Sequence, residues 1–219
     1  MFKNFGWVIL FCTIIIGMLI LYECKKHSRK SDSAKASFWA REARANTVRR
    51  KDISNLNYIN IPDSVIPSDI SPDLCTCKCY IISDDEINEY RTTLLNLQAR
   101  KILNLSGLTN TDLKEKYGVA NLSALSEYDE NYITLVNIIA RCGARLIEIG
   151  NCSLAAVILE YGISIGTDVS RNYYMLAELY RKDNNITGIN SLIESADKLD
   201  SIMKAPILSK LNEIKAAVS

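Results

Sequence analysis

Histidine is almost absent from this chain: His27 is the single one among 219 residues. A serine or cysteine nucleophile elsewhere in the chain therefore lacks the usual imidazole base, and a site built on several histidines is excluded. Glycine and proline are scarce as well, at nine and four. Such a composition excludes collagen-like and low-complexity chains. No glycine-rich phosphate loop, G-x-S-x-G elbow or H-E-x-x-H helix occurs. The expectation is a protein that is not an enzyme and needs no cofactor. An excess of either charge is also missing, with 26 Lys/Arg against 25 Asp/Glu and a net charge of +1.

That balance is an average over segments that disagree. Residues 24–51 carry ten Lys/Arg against only Asp32 and Glu42, whereas residues 52–219 carry fifteen against twenty-two Asp/Glu. Ahead of both, Phe5 to Tyr22 reads FGWVILFCTIIIGMLILY, eighteen residues without a charge. As a helix this stretch rises about 27 Å, close to the hydrocarbon thickness of a bilayer. Trp7 and Tyr22 stand near its ends, where amphipathic rings favour the interface. Leu21-Tyr22-Glu23 offers no small-residue cleavage site, so a retained transmembrane helix over 5–22 is expected after a short N-terminus, 1–4.

Orientation follows from the flanks. Lys3 alone precedes the apolar stretch, while Lys25, Lys26, Arg29, Lys30 and Lys35 follow it closely. Basic flanks stay on the cytoplasmic side, so the expected topology is a single-pass cell-membrane protein with its N-terminus outside and its C-terminal domain in the cytoplasm. The opposite orientation would present the sequons at Asn104, Asn121, Asn151 and Asn185 for glycosylation.

Residues 23–51 form a basic juxtamembrane neck. Each surface Lys/Arg near anionic lipid contributes about 1 kcal/mol, and FWAREARANTVRR has helical spacing of Phe38, Arg41/Glu42, Ala45 and Val48. One reading is an interfacial helix whose lipid contacts are Lys25, Lys26, Arg29, Lys30, Phe38 and Trp39. The other is a solvated flank followed by a helical neck. Membrane lipids are the expected partners of this segment; nucleic acid is not expected beside an anchor.

Residues 52–82 hold Pro62, Pro67 and Pro72, which exclude helix over most of their length. An extended tether is expected, with Tyr58-Ile59-Asn60-Ile61 suited to a sheet edge or to lying along the helical domain. FWAREARANTVRRKDISNLNYINIP resembles single-pass membrane proteins of clostridial bacteria. The likeness extends into the helical region behind it and implies architecture, not an activity. Within the tether, Cys75, Cys77 and Cys79 alternate, so a strand would bring three thiols to one face. They are candidates for a thiolate metal or redox sensor. No second C-x₂₋₄-C pair accompanies them, and incidental reduced cysteines are the simpler reading.

From Ser83 the apolar period becomes 3.6, and an all-α domain over 83–219 is expected. Ser83-Asp84-Asp85-Glu86 reads as a capping box. Helices follow near Asp112–Tyr117, Ser126–Ile149, Ser153–Ile165, Val169–Lys182 and Thr187–Leu199, with stops at Gly118, Gly150 and Gly166. Pro206 suits the first turn of a last helix, 206–218.

A shift of thirty-four positions aligns Ile139 with Tyr173 and Ile207, Gly143 with Ala177 and Leu211, and Leu146 with Tyr180 and Ile214. It also aligns Ala155 with Ile189, Leu159 with Ile193 and Gly162 with Ala196. This pattern, clearest in YYMLAELYRKDNNITGINSLIESADKL, resembles the tetratricopeptide repeat, with repeats at 136–169 and 170–203 and a capping helix. The consensus Trp is Ile139 or Tyr173, the inter-helix glycine is Asn184 in the second repeat, and the terminal proline is absent. A generic antiparallel bundle is the alternative.

The resemblance implies a concave groove lined by first helices, here Asn137, Ala144, Glu148, Arg171, Tyr174, Glu178 and Arg181, that binds a protein or peptide. The function expected is that of a membrane-anchored adaptor or scaffold. Alternatives are an anionic-lipid-organising protein acting through its neck and a sensor acting through CTCKC.

Overall fold

The computed structural model describes residues 5–67 and 84–217, with the side chains of 5–10, 12 and 28–31 outside the description. The protein is all-α, and no strand occurs among the described residues. Its chain divides into two compact units, one of residues 1–51 with 109–121, the other of 52–108 with 122–219.

The first unit is built on α1, Phe5–Ala45, a single helix of 41 residues. Proline is absent from it and only Gly6 and Gly17 weaken it. Of the two readings of the neck, a separate interfacial helix or a helical continuation of the flank, the second agrees with the single helix that runs from Phe5 to Ala45. Among the described residues no helix is long and apolar enough to cross a membrane. The expected span 5–22 falls partly on side chains outside the description, and the ten consecutive described ones, 13–22, rise only about 15 Å.

Helix α1 ends against α3, Asn110–Tyr117. Thr109 caps α3 by accepting the Asp112 amide, while the Asp112 carboxylate accepts the Thr109 amide at 2.8 Å. Gly118 stops the helix at φ +88°, and a Cβ there would lie 2.3 Å from the Arg49 carbonyl oxygen, so the return of the chain requires glycine. Lys51 N–H donates to the Tyr117 carbonyl at 3.0 Å. Asn121, 1% exposed, donates from Nδ2 to the Lys51 and Tyr117 carbonyls and accepts from Arg50 Nε at 3.1 Å.

The second unit contains α2 (Asp85–Gln98), α4 (Leu122–Glu148), α5 (Cys152–Ser164), α6 (Ser170–Lys182), α7 (Ile186–Asp197) and α8 (Lys204–Ala216). The expected cap Ser83 lies outside the described residues; Asp84 caps α2, accepting from the Glu86 and Ile87 amides. Its carboxylate also holds Arg145 Nε of α4 at 2.7 Å. Burial alone would raise the Asp84 carboxyl, but the Arg145 guanidinium and the two amides outweigh it and bring it below the usual range.

The first half of the expected tether packs as part of this unit. Ile61, Val65 and Ile66 are buried among Leu94, Leu97 and Leu135 in one hydrophobic cluster. Gln98 Nε2 donates to the Ile61 carbonyl at 3.0 Å, Ile59 N–H to the Ile102 carbonyl at 2.9 Å, and Tyr161 O–H to the Asn60 carbonyl at 3.0 Å. The prolines keep α-helix out, a single 3₁₀ turn forms at Asp63–Val65, and the apolar residues between the prolines find a core. Residues 68–82 lie outside the described ones.

From α4 to α8 the backbone repeats itself at the interval seen in the sequence, thirty-four positions. Gly150 (φ +85°) and Asn184 (φ +52°) make the same left-handed turn, which asparagine tolerates better than other L-residues. Asn151 and Asn185 next cap α5 and α7, each side-chain oxygen accepting the amide three residues on. Their own amides donate 2.8 Å bonds to the Leu146 and Tyr180 carbonyls, again one repeat apart. Thr167 and Ser201 accept from the amides of Val169 and Met203 in the same register. Every helix pair in succession from α4 to α8 is in contact, and α6 also touches α4 and α8.

Small residues set the spacing. At Gly143 a Cβ would lie 2.7 Å from Leu159, and at Gly162 one would lie 2.8 Å from Ile139. Ala177 and Ala196, their counterparts one repeat on, are fully buried. Ile139, Tyr173 and Ile207 are buried to 1% exposure or less.

Candidate partner-binding surface

The surface expected to bind a partner is carried by α4 and α6. Asn137, Glu148, Arg171 and Arg181 are exposed, and Tyr174 and Glu178 half-buried. Ala144 is buried at 9% exposure and cannot serve as a contact, because its methyl group fills space inside the unit. Several of the others already have bonds. Glu148 accepts from Arg145 at 2.9 Å, Arg181 donates to Glu178 at 2.7 Å within one helix turn, and Tyr174 O–H donates to the Pro206 carbonyl of α8 at 3.4 Å. Asn137 and Arg171, one repeat apart, are the exposed pair on which a partner surface would depend most.

Away from that surface, a concavity of about 570 Å³ has no counterpart among the residues expected from the sequence. Four chain segments supply its walls: Asn57–Asn60, Leu103–Ser106, Ser164–Asp168 and Lys198–Ser201. Their positions are fixed by hydrogen bonds. Asn104 Nδ2 donates to Tyr132 Oη at 2.9 Å, and Ser201 O–H donates to Asp168 at 2.7 Å, joining the α5–α6 loop to the α7–α8 loop. Burial raises the phenol of Tyr132, and Tyr173 is pushed up to about 12 for the same first cause, with Asp168 adding to both. Both phenols stay neutral hydrogen-bonding groups. The lining is drawn from loops without periodicity, so nothing in the local sequence marks it; the recurrence of Thr167 as Ser201 one repeat later is the one available signal.

In the neck, Lys25 and Lys26 are exposed, with Lys26 3.5 Å from Glu23; Arg29 and Lys30 have side chains outside the described residues. Phe38 and Trp39 are exposed at 52% and 66%, their rings edge-to-face at 5.4 Å. The unbroken helix changes what they can touch. Phe38 follows Tyr22 by sixteen residues, about 24 Å along the axis. A helix that crosses a membrane over 5–22 and continues straight carries both rings away from the headgroups that Lys25 reaches. The neighbouring face is occupied by α3. Arg41 donates to Asp112 at 2.5 Å and Glu115 at 2.6 Å, Glu42 accepts from Thr111 at 2.7 Å and from Lys114, and Ala45 is fully buried.

Among the described residues no group of three His, Cys, Asp or Glu is placed to hold a metal. Cys75, Cys77 and Cys79 lie outside the described residues. Cys142 is buried, which pushes its thiol up to about 12, whereas Cys24 and Cys152 are exposed.

Comparison with family models, with curated proteins and with solved structures finds no match to this chain.

Proposed function

We propose that this chain is a single-pass membrane protein that presents a tetratricopeptide-repeat-like domain for protein–protein binding, as an adaptor or scaffold without catalysis. The observation that carries the reading is the regular recurrence of turns, caps and buried positions from α4 to α8. Stacked helix pairs of that period set their first helices side by side as one surface. On that surface Asn137 and Arg171 stand one repeat apart and exposed.

Membrane anchoring is supported by the uncharged stretch 5–22 and by the described part of it, where Ile14, Ile15, Ile16, Leu19, Ile20 and Leu21 are each at least 41% exposed. An apolar helical surface left exposed among the described residues is one that lipid can cover. The basic flank places the C-terminal domain in the cytoplasm in this reading. The burial of Asn121 agrees, since both hydrogens of its Nδ2 are donated inside the fold and a glycan there has no room.

The test compares partners of the full chain, recovered from detergent extract, with those of Asn137→Arg/Arg171→Glu. Both positions are exposed, so the fold is retained. Loss of a reproducible subset of partners is expected; identical recoveries would refute the surface.

A further inference from the structure

We infer that the charged contact between α1 and α3 is a releasable latch, opened by competing ions, that pivots on Asn121. Helix α3 has eight residues, too few to persist as a helix without tertiary support. Most of its side-chain bonding to α1 is ionic: Arg41 with Asp112 and Glu115, and Lys114 with Glu42. Apolar support is small, the fully buried methyl of Ala45 and the buried Leu113 being its main parts. The side chains of Arg41, Asp112 and Glu115 are 42%, 30% and 36% exposed, so dissolved ions reach them, whereas Lys114 and Glu42, at 15% and 18%, are more shielded and hold the contact at low salt.

The other end of α3 is held differently. There the bonds are from Asn121 to the Lys51 and Tyr117 carbonyls, and from Lys51 N–H to Tyr117, with Gly118 seated on the Arg49 backbone. These bonds are buried or main-chain and respond little to salt. One end of α3 is therefore ion-sensitive and the other is not, which is the geometry of a latch with a hinge.

Connectivity gives the latch its consequence. In the chain α3 is bracketed by Leu108 and Leu122, both of the second unit. While the latch is closed, α1 is tied to that unit twice, through the peptide bond after Lys51 and through α3. With the latch open the ionic tie is gone, and the Asn121 bonds, the Lys51–Tyr117 main-chain bond and the Gly118 contact hold α3 to the segment that follows α1.

Amide hydrogen exchange of the full chain in nonionic micelles tests this. Glu42→Lys and Lys114→Glu should each speed exchange across 110–117 on the order of tenfold or more, a change of about 1.4 kcal/mol per decade. The exchanged pair Glu42→Lys/Lys114→Glu should return it to within about threefold of the parent, as a restored pair does. Raising sodium chloride from about 0.05 M to about 0.5 M should speed the parent's exchange there roughly threefold. Peptides from α4 to α8 should be unmoved throughout. Unchanged exchange in the single variants, no recovery in the double, or parallel acceleration in α4–α8 would each overturn the latch. None of these readouts depends on membrane insertion or on a binding partner.

Discussion

Replacing Gly143 by alanine should destabilise the second unit, although alanine is the better helix former. Gly143 lies inside α4, where the intrinsic gain from glycine to alanine is about 1 kcal/mol. Against it stands the contact with α5. The new Cβ would be 2.7 Å from Leu159 Cδ2 and 2.9 Å from its Cγ, and Leu159 is fully buried. Overpacking of this kind costs about 1–3 kcal/mol, so the net effect is a loss of about 1 kcal/mol. The sign should reverse once the obstacle is removed. In a Leu159→Ala background, itself less stable by about 2–5 kcal/mol, Gly143→Ala should stabilise by about 1 kcal/mol. Urea unfolding of the full chain in nonionic micelles, followed by far-ultraviolet circular dichroism, measures all four corners of the cycle. A stabilising Gly143→Ala in the parent, or an equal effect in both backgrounds, would show that α4 and α5 do not approach closely there.

Three further outcomes are expected. Asp84→Ala should cost about 1 kcal/mol from the lost cap alone. Because the folded Asp84 carboxyl is held below its usual range, its contribution is present above about pH 4 and lost as pH falls through the lower folded value. The parent's urea midpoint should therefore drop more steeply below pH 4 than that of Asp84→Asn. Asn184→Val, which forces a β-branched residue to φ +52°, should lose about 1–2 kcal/mol, whereas Asn184→Gly should be close to neutral. Under native conditions iodoacetamide should label Cys24 and Cys152 and spare Cys142, as read by mass spectrometry; rapid labelling of Cys142 would contradict its burial.

Much of the second unit is legible in the sequence because its signals are local. Gly150 and Gly166 stop α4 and α5 where an apolar helical period ends, and the residues aligned one repeat apart fall largely on buried positions. What is harder to read is carried by single polar residues. Asn151 and Asn185 repeat at the same interval as the aligned apolar residues, yet a cap is read from one side chain and is easily lost among other asparagines. The burial of Ile61, Val65 and Ile66 is obscured by the prolines around them, which forbid α-helix but do not forbid packing. The α1–α3 contact joins residues more than 70 positions apart through charge complementarity, for which no periodicity exists. Of the surface expected to bind a partner, six residues lie where side chains are at least partly accessible. Ala144 does not, although its counterpart one repeat on, Glu178, is partly accessible, so the alignment alone does not tell an outward position from an inward one.

The continuity of α1 has a further consequence. A helix is a screw, so every residue between Tyr22 and Arg41 contributes about 1.5 Å of advance and about 100° of rotation. The chain thus encodes an azimuth as well as a reach: the direction in which Arg41 and Ala45 face about the axis is set by the number of residues preceding them. Two inserted residues would turn that face to nearly the opposite side, while seven would almost restore its phase about 10 Å farther out. In a flexible linker of the same composition both values would average away. Any change of residue count in this stretch therefore alters reach and azimuth together.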